Sequence, residues 1–186
     1  MTPGMWTPPE RSPRIPEHTL AHYPDSVRST RRHTAPELSR MVAMVKEAGA
    51  DYITIGHGRH PASVSAARAL HAAWTIAGGS ALGRVGWPGT AASWLRPARR
   101  LTAGDPDAWV LADSIAGCAQ VLRRLAQQAN WTPARAVGFA GLASDDLVAL
   151  AAPISLAGMT GPTATGGTWR IGDDHVILTD DPHRLR

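Results

Sequence analysis

The sequence predicts an α/β protein: a Rossmann-like three-layer sandwich with a mostly parallel sheet of about five strands and a C-terminal β-hairpin. Three observations lead there. Short, nearly continuous apolar runs such as ITI (53–55) and WVLA (109–112) alternate with longer amphipathic stretches of helical period. Runs without inside–outside alternation suit strands buried on both faces. Strand–helix–strand repetition implies right-handed crossovers, hence parallel strands with helices on both sides.

Residues 1–33 carry Pro3, Pro8, Pro9, Pro13, Pro16 and Pro24, few branched aliphatics and no period. They are expected to form a disordered arm or to lie extended along the surface. A single α/β domain is expected over 34–186. Thr34 and Glu37 have capping-box spacing, Pro36 suits a first turn, and Leu38, Met41, Val42 and Val45 fall on one helical face. Gly49 ends that helix, and DYITI (51–55) is the first strand. A helix runs from Pro61 to about Ile76, with Val64, Ala67, Leu70 and Trp74 inward, and ALGRVGW (81–87) is the second strand. The next helix is expected over 88–101, kinked or split at Pro97. AWVLAD (108–113), ARAVGFAG (134–141) and PISLAG (153–158) follow as strands, separated by helices from Ser114 to about Ala129 and from a Ser144 cap. A small-residue loop, MTGPTATGG, is expected to be mobile. TWRIGDDHVILT (about 168–179) has the pattern of a hairpin turning at Gly172-Asp173-Asp174.

Composition restricts the class. At 186 residues, 44% hydrophobic and 18% charged, the chain suits one globular domain plus a tail. No apolar run approaches the roughly 18 residues of a membrane span, so no transmembrane segment is expected. The first residues lack the apolar stretch of a secretory signal, so the expected location is cytoplasmic. All but Lys46 of the 19 cationic side chains are Arg. With the Ala, Gly and Pro richness, that suggests a GC-rich, actinobacterial source. Net charge is +4, and Arg11, Arg14, Arg28, Arg31 and Arg32 outnumber the acids of the arm. Weak contact of this basic arm with nucleic acid or an anionic membrane is therefore open. Cys118 stands alone, which excludes an internal disulfide and suits a small buried hydrophobe.

In such sheets, ligands bind outside the C-terminal ends of the strands, where the connections diverge. That rule selects the candidate ligand-binding residues. Gly56, His57, Gly58, Arg59, His60 and Ser63 follow the first strand, Trp87 and Thr90 the second, and Asp113 and Ser114 the third. Gly56 and Gly58 are expected to form a turn that permits positive φ and close backbone approach. Pro61 at the first helical position leaves the next amides free at the positive end of the helix dipole. Arg59 adds a forked cation. A small anionic ligand, carboxylate or phosphate, is the expected partner.

Other chemistries fit less well. Pro61 replaces the third small residue of a dinucleotide fingerprint, the second strand ends without an acid, and no Walker pattern occurs, so no cofactor is assigned. His57 and His60 lack a firm third ligand, so no metal is assigned. Ser114 beside Asp113 reads as a helix cap, no nucleophile elbow occurs, and catalytic residues stay unassigned. Trp87, at a strand end, could stack on a sugar or base, whereas most of the other tryptophans fall at core-facing positions.

The run AGADYITIGHGRHPASVSAARAL, with GRVGWP and DAWVLAD, resembles one lobe of a type 1 periplasmic-binding fold over about residues 36–158. That is the fold of ABC-transporter substrate-binding proteins and of their cytoplasmic sensory relatives. The resemblance implies a ligand facing the N-terminus of the helix after the first strand. Such proteins close two lobes on the ligand, and a homodimer could supply the second here. Sugar-phosphate isomerase-type domains share the loop–helix layout. The leading reading is a ligand-binding or sensing module without catalysis. One alternative is an enzyme on a phosphorylated or nucleotide-like substrate, with His57 or His60 as acid–base group. Another is an accessory protein of an actinobacterial plasmid or mobile element, acting through partner or DNA contacts.

Overall fold

The structure, a computed structural model, describes residues 14–179. Its strands are β1 (Tyr52–Gly58), β2 (Ser80–Trp87), β3 (Ala108–Ala112), β4 (Ala136–Gly138), β5 (Thr160–Pro162), β6 (Thr168–Ile171) and β7 (Val176–Thr179). They form one sheet in the order β2-β1-β3-β4-β5-β6-β7. The five strands from β2 to β5 are parallel, and β6 and β7 extend the sheet as the antiparallel hairpin. The helices are α1 (Glu17–Leu20), α2 (Ala35–Glu47), α3 (Pro61–Ile76), α4 (Leu95–Thr102), α5 (Ile115–Leu125) and α6 (Asp145–Ala151).

Both faces of the sheet are covered. Met41, Val45, Leu70 and Trp74 from α2 and α3 pack with Ile53, Ile55 and Val110 on one side. Leu101, Leu122, Leu147 and Leu150 from α4, α5 and α6 pack with Trp109, Leu111 and Trp169 on the other. β1 lies between β2 and β3, so the chain steps one way after β1 and back past it after β2. Right-handed crossovers then put α3 and α4 on opposite faces, which opens a crevice above the ends of β1 and β3.

Local chemistry explains the boundaries. Thr34 and Glu37 form the full capping box, and the other Glu37 oxygen accepts from the Ala140 amide at 2.7 Å. The cap of α2 thereby ties that helix to the end of β4. The helix expected over 88–101 is corrected to Leu95–Thr102. Pro97 then sits in the first turn, where its missing N–H breaks no bond, and there is no mid-helix proline to kink. The fifth strand is corrected from 153–158 to Thr160–Pro162, inside the loop expected to be mobile. A Cβ at Gly161 would lie 2.0 Å from the Gly138 carbonyl oxygen, so β5 reaches β4 only through a glycine. Hydropathy does not register such a contact.

The arm expected over 1–33 needs correction where it is described; residues 1–13 lie outside the described residues. Residues 14–33 form α1, a 3-10 turn at Asp25–Arg28, and connecting segments. Ile15, Leu20 and Val27 are buried in the core beside α5. Gln120 holds the Ile15 backbone from both sides, its Oε1 accepting from Ile15 N at 3.1 Å and its Nε2 donating to Ile15 O at 3.4 Å. Residues of this strap line a cavity together with Ala112, Asp113 and Ala140 at the C-terminal ends of β3 and β4. Three apolar residues at irregular spacing anchor it, and periodicity cannot detect them.

Trp74, Trp87, Trp94, Trp109 and Trp169 are all buried, as is Cys118. No helix among the described residues is long and apolar enough to cross a membrane.

Candidate functional site

Strand pairing continues through the glycines after the DYITI run. Gly56, His57 and Gly58 pair with Val85, Gly86 and Trp87 of β2, and the first two also with Leu111 and Ala112 of β3. The segment expected to be a turn is therefore strand, and neither glycine has positive φ. The close approach expected there is present for a different reason. A Cβ at Gly56 would meet the Trp87 ring at 2.7 Å and Leu111 at 2.9 Å. A Cβ at Gly58 would lie 1.9 Å from Asp113 Oδ1.

Asp113 organises the rim. Its side chain is buried, with Trp87 Nε1 donating to Oδ2 at 2.8 Å and Ser63 Oγ donating to Oδ1 at 3.3 Å. A Cβ on Gly117, in the first turn of α5, would lie 2.0 Å from Oδ2. One carboxylate is thus enclosed by β1, β2, α3 and α5. Burial raises its pKa above the ordinary value, opposed by the Ser114 amide, the Trp87 indole, the nearby His60 and the Ser63 hydroxyl. Trp87 is corrected from a stacking platform to an interior donor, because its ring is covered and its one polar atom is taken by Asp113. Ser114 is a helix cap, its Oγ accepting from Gly117 N at 3.2 Å.

Two cavities lie at this rim, both lined in part by the strap, and Asp113 lines the first. One, of ≈320 Å³, lies on the α2–α3 side and is lined by Thr30, Arg31, His33, Ser63, Asp113 and Phe139, among others. The second, of ≈500 Å³, lies toward α5, and its lining includes Arg14, Arg28, Arg59, His60, Thr90 and Ser114. Arg59 and His60 are exposed at the mouth of α3, where no side chain of His60 caps the helix and Pro61 opens it. Arg59 forms no hydrogen bond or ion pair with the described residues, and its exposed side chain lies in the wall of that second cavity.

The candidate residues separate into groups. Arg59, His60, Thr90 and Ser114 meet around the larger cavity. Gly58, Ser63 and Trp87 surround Asp113, and Gly56 serves packing between β1 and its neighbours. His57 stands apart: its Nδ1 donates to the Gly58 carbonyl at 2.7 Å, and its ring lines neither cavity. Among the described residues, no cluster of three or more His, Cys, Asp or Glu side chains is placed to hold a metal. Sequence reasoning missed Arg14, Arg28 and Gln120. The pairing of arginines with Ile15, Leu20 and Val27 in the arm was the available signal.

A family model described as periplasmic binding protein matches residues 18–175. The chain belongs to the periplasmic binding protein family. No curated protein matches it. Among solved structures, this periplasmic-binding lobe is similar to a substrate-binding periplasmic protein from Ralstonia solanacearum, with 13% identity and a TM-score of 0.60 over 81% of this chain and 47% of that one. It is also similar to an ABC-transporter solute-binding protein from R. palustris in complex with benzoate, with 14% identity, TM-score 0.57, and 67% and 33% of the two chains. A leucine binding protein from Thermotoga maritima has 16% identity and TM-score 0.54 over 67% of this chain and 36% of that one. At such identities the likeness is one of fold. The chain spans less than half the length of each.

Proposed function

We propose that the chain is a ligand-binding or sensing lobe, without catalysis of its own, for a small carboxylate-bearing molecule. The observation that carries this reading is the position of Arg59 and His60. Both are exposed at the uncapped N-terminus of α3 and line a cavity of ≈500 Å³ at the C-terminal edge of the sheet. A guanidinium, an imidazole and the positive end of a helix favour an anion. The carboxylate class draws further support from two similar structures, one named for leucine and one holding benzoate. The separation of His57 from that cavity favours binding over acid–base catalysis by the two histidines. We also propose a cytoplasmic location, which fractionation of the source cells tests.

Calorimetric titration and thermal melting with benzoate and leucine at low salt test the binding. One of the two should raise the melting temperature of the wild-type chain, and Arg59→Ala should weaken its binding about tenfold or more by removing the forked cation. If neither compound stabilises the wild type more than Arg59→Ala, the reading is wrong.

A further inference from the structure

We infer that the larger cavity takes a doubly charged anion, such as a dicarboxylate, with one charged group on each of two facing segments of chain. This rests on the carboxylate-binding reading above and specifies its ligand. The cations around the cavity come from separate places. Arg59 belongs to the β1–α3 junction, whereas Arg14 and Arg28 belong to the strap. The strap is fixed independently, through the Gln120 clamp on Ile15 and the burial of Leu20 and Val27. Arg28 already has Glu17, so a single carboxylate at Arg59 leaves Arg14 as the strap cation facing the cavity without an ion pair among the described residues.

The charge balance of the lining points the same way. Arg14, Arg28 and Arg59 are permanent cations, and Glu17 is the acid among the lining residues. Glu17 already holds Arg28, Oε1 to Nη2 at 2.6 Å, with both side chains substantially exposed. The lining therefore carries an excess of two permanent positive charges. Asp113 faces the smaller cavity and is occupied by Trp87 and Ser63. Thr90 and Ser114 add neutral hydroxyls, and Trp94 and Ala116 give an apolar section of wall. Cations from two separate segments around one cavity, whose wall also has an apolar section, suit a skeleton bearing two carboxylates. Exposed ion pairs contribute little to stability, so Glu17 is free to modulate the field of the cavity without holding the fold together.

Calorimetric titration of the full chain with benzoate and with terephthalate, which share a ring and differ by one carboxylate, tests this. Terephthalate should bind about tenfold tighter than benzoate, as a second charge-assisted contact implies. Arg14→Gln should weaken terephthalate binding about tenfold more than benzoate binding and so remove the preference. Glu17→Gln should increase the preference, because it removes the one negative charge of the lining and releases Arg28. A variant that merely loosened the strap would instead weaken both compounds by the same factor. Equal affinities for the two compounds, or a preference that survives Arg14→Gln and ignores Glu17→Gln, overturns the inference while benzoate binding keeps the carboxylate reading. Failure of both compounds to bind the wild type, with leucine still bound in an Arg59-dependent way, likewise overturns it alone; failure of all three overturns both.

Discussion

Replacing Gly58 with alanine tests whether the rim is built around the Asp113 carboxylate. The new methyl would sit 1.9 Å from Oδ1 and 2.2 Å from Cγ, so the carboxylate must move. It cannot move toward α5, because Gly117 already approaches it as closely as a glycine allows. Displacement strains or breaks the bonds from Trp87 and Ser63. Overpacking of a filled interior costs about 1–3 kcal/mol, and a hydrogen bond to a charged group is worth about 1.5–3 kcal/mol. Together they lead us to expect a loss of about 3–5 kcal/mol, a large share of the stability of an ordinary domain. Gly83→Ala in β2 is the matched control, since nothing lies within 4 Å of its new Cβ. Its change should stay within about 1 kcal/mol. Urea denaturation followed by circular dichroism measures both. In an Asp113→Ala background the Gly58→Ala cost should fall below about 1 kcal/mol, because the obstacle is gone. Equal losses at Gly58 and Gly83, or an undiminished loss in that background, would refute the reasoning.

Three further outcomes are expected. Burial raises the Asp113 pKa, so between its ordinary and raised values the folded chain keeps a proton that the unfolded chain has released. That contribution favours the folded state at low pH and is lost as pH rises through the raised value; Asp113→Asn should flatten this decline in urea midpoints taken from about pH 4 to about pH 7. Glu37→Ala should cost about 2–3 kcal/mol in thermal melting, because it leaves the Ala140 and Thr34 amides without their acceptors. The exposed Glu47→Ala, which loses only a surface pair with Arg40, should change stability by about 0.5 kcal/mol or less.

Elements with a local cause were legible in the chain. The Thr34–Glu37 box, the Pro61 opening of α3, the Ser114 cap of α5 and the hairpin at 168–179 each depend on neighbours within a few residues. The site was legible only where it too is local. Arg59 and His60 stand at a helix mouth because of their place in the sequence, and the parallel-sheet rule put that mouth at the C-terminal edge of the sheet, where the candidate site lies. Trp87 was misread because its role depends on Asp113, which is remote in sequence and adjacent in space.

The order of short-range signals determined the alternation of strands and helices, the parallel sheet and its crevice, since periodicity and caps act over a turn or a strand. Only the tertiary structure decided which glycines are spacers, that strap residues line the rim, and that Arg14 joins Arg59 around one cavity. Those outcomes depend on excluded volume and on contacts such as Ile15 with Gln120, which join distant parts of the chain. Hydropathy and spacing encode no distance across the fold, so such contacts become readable only once the packing is known.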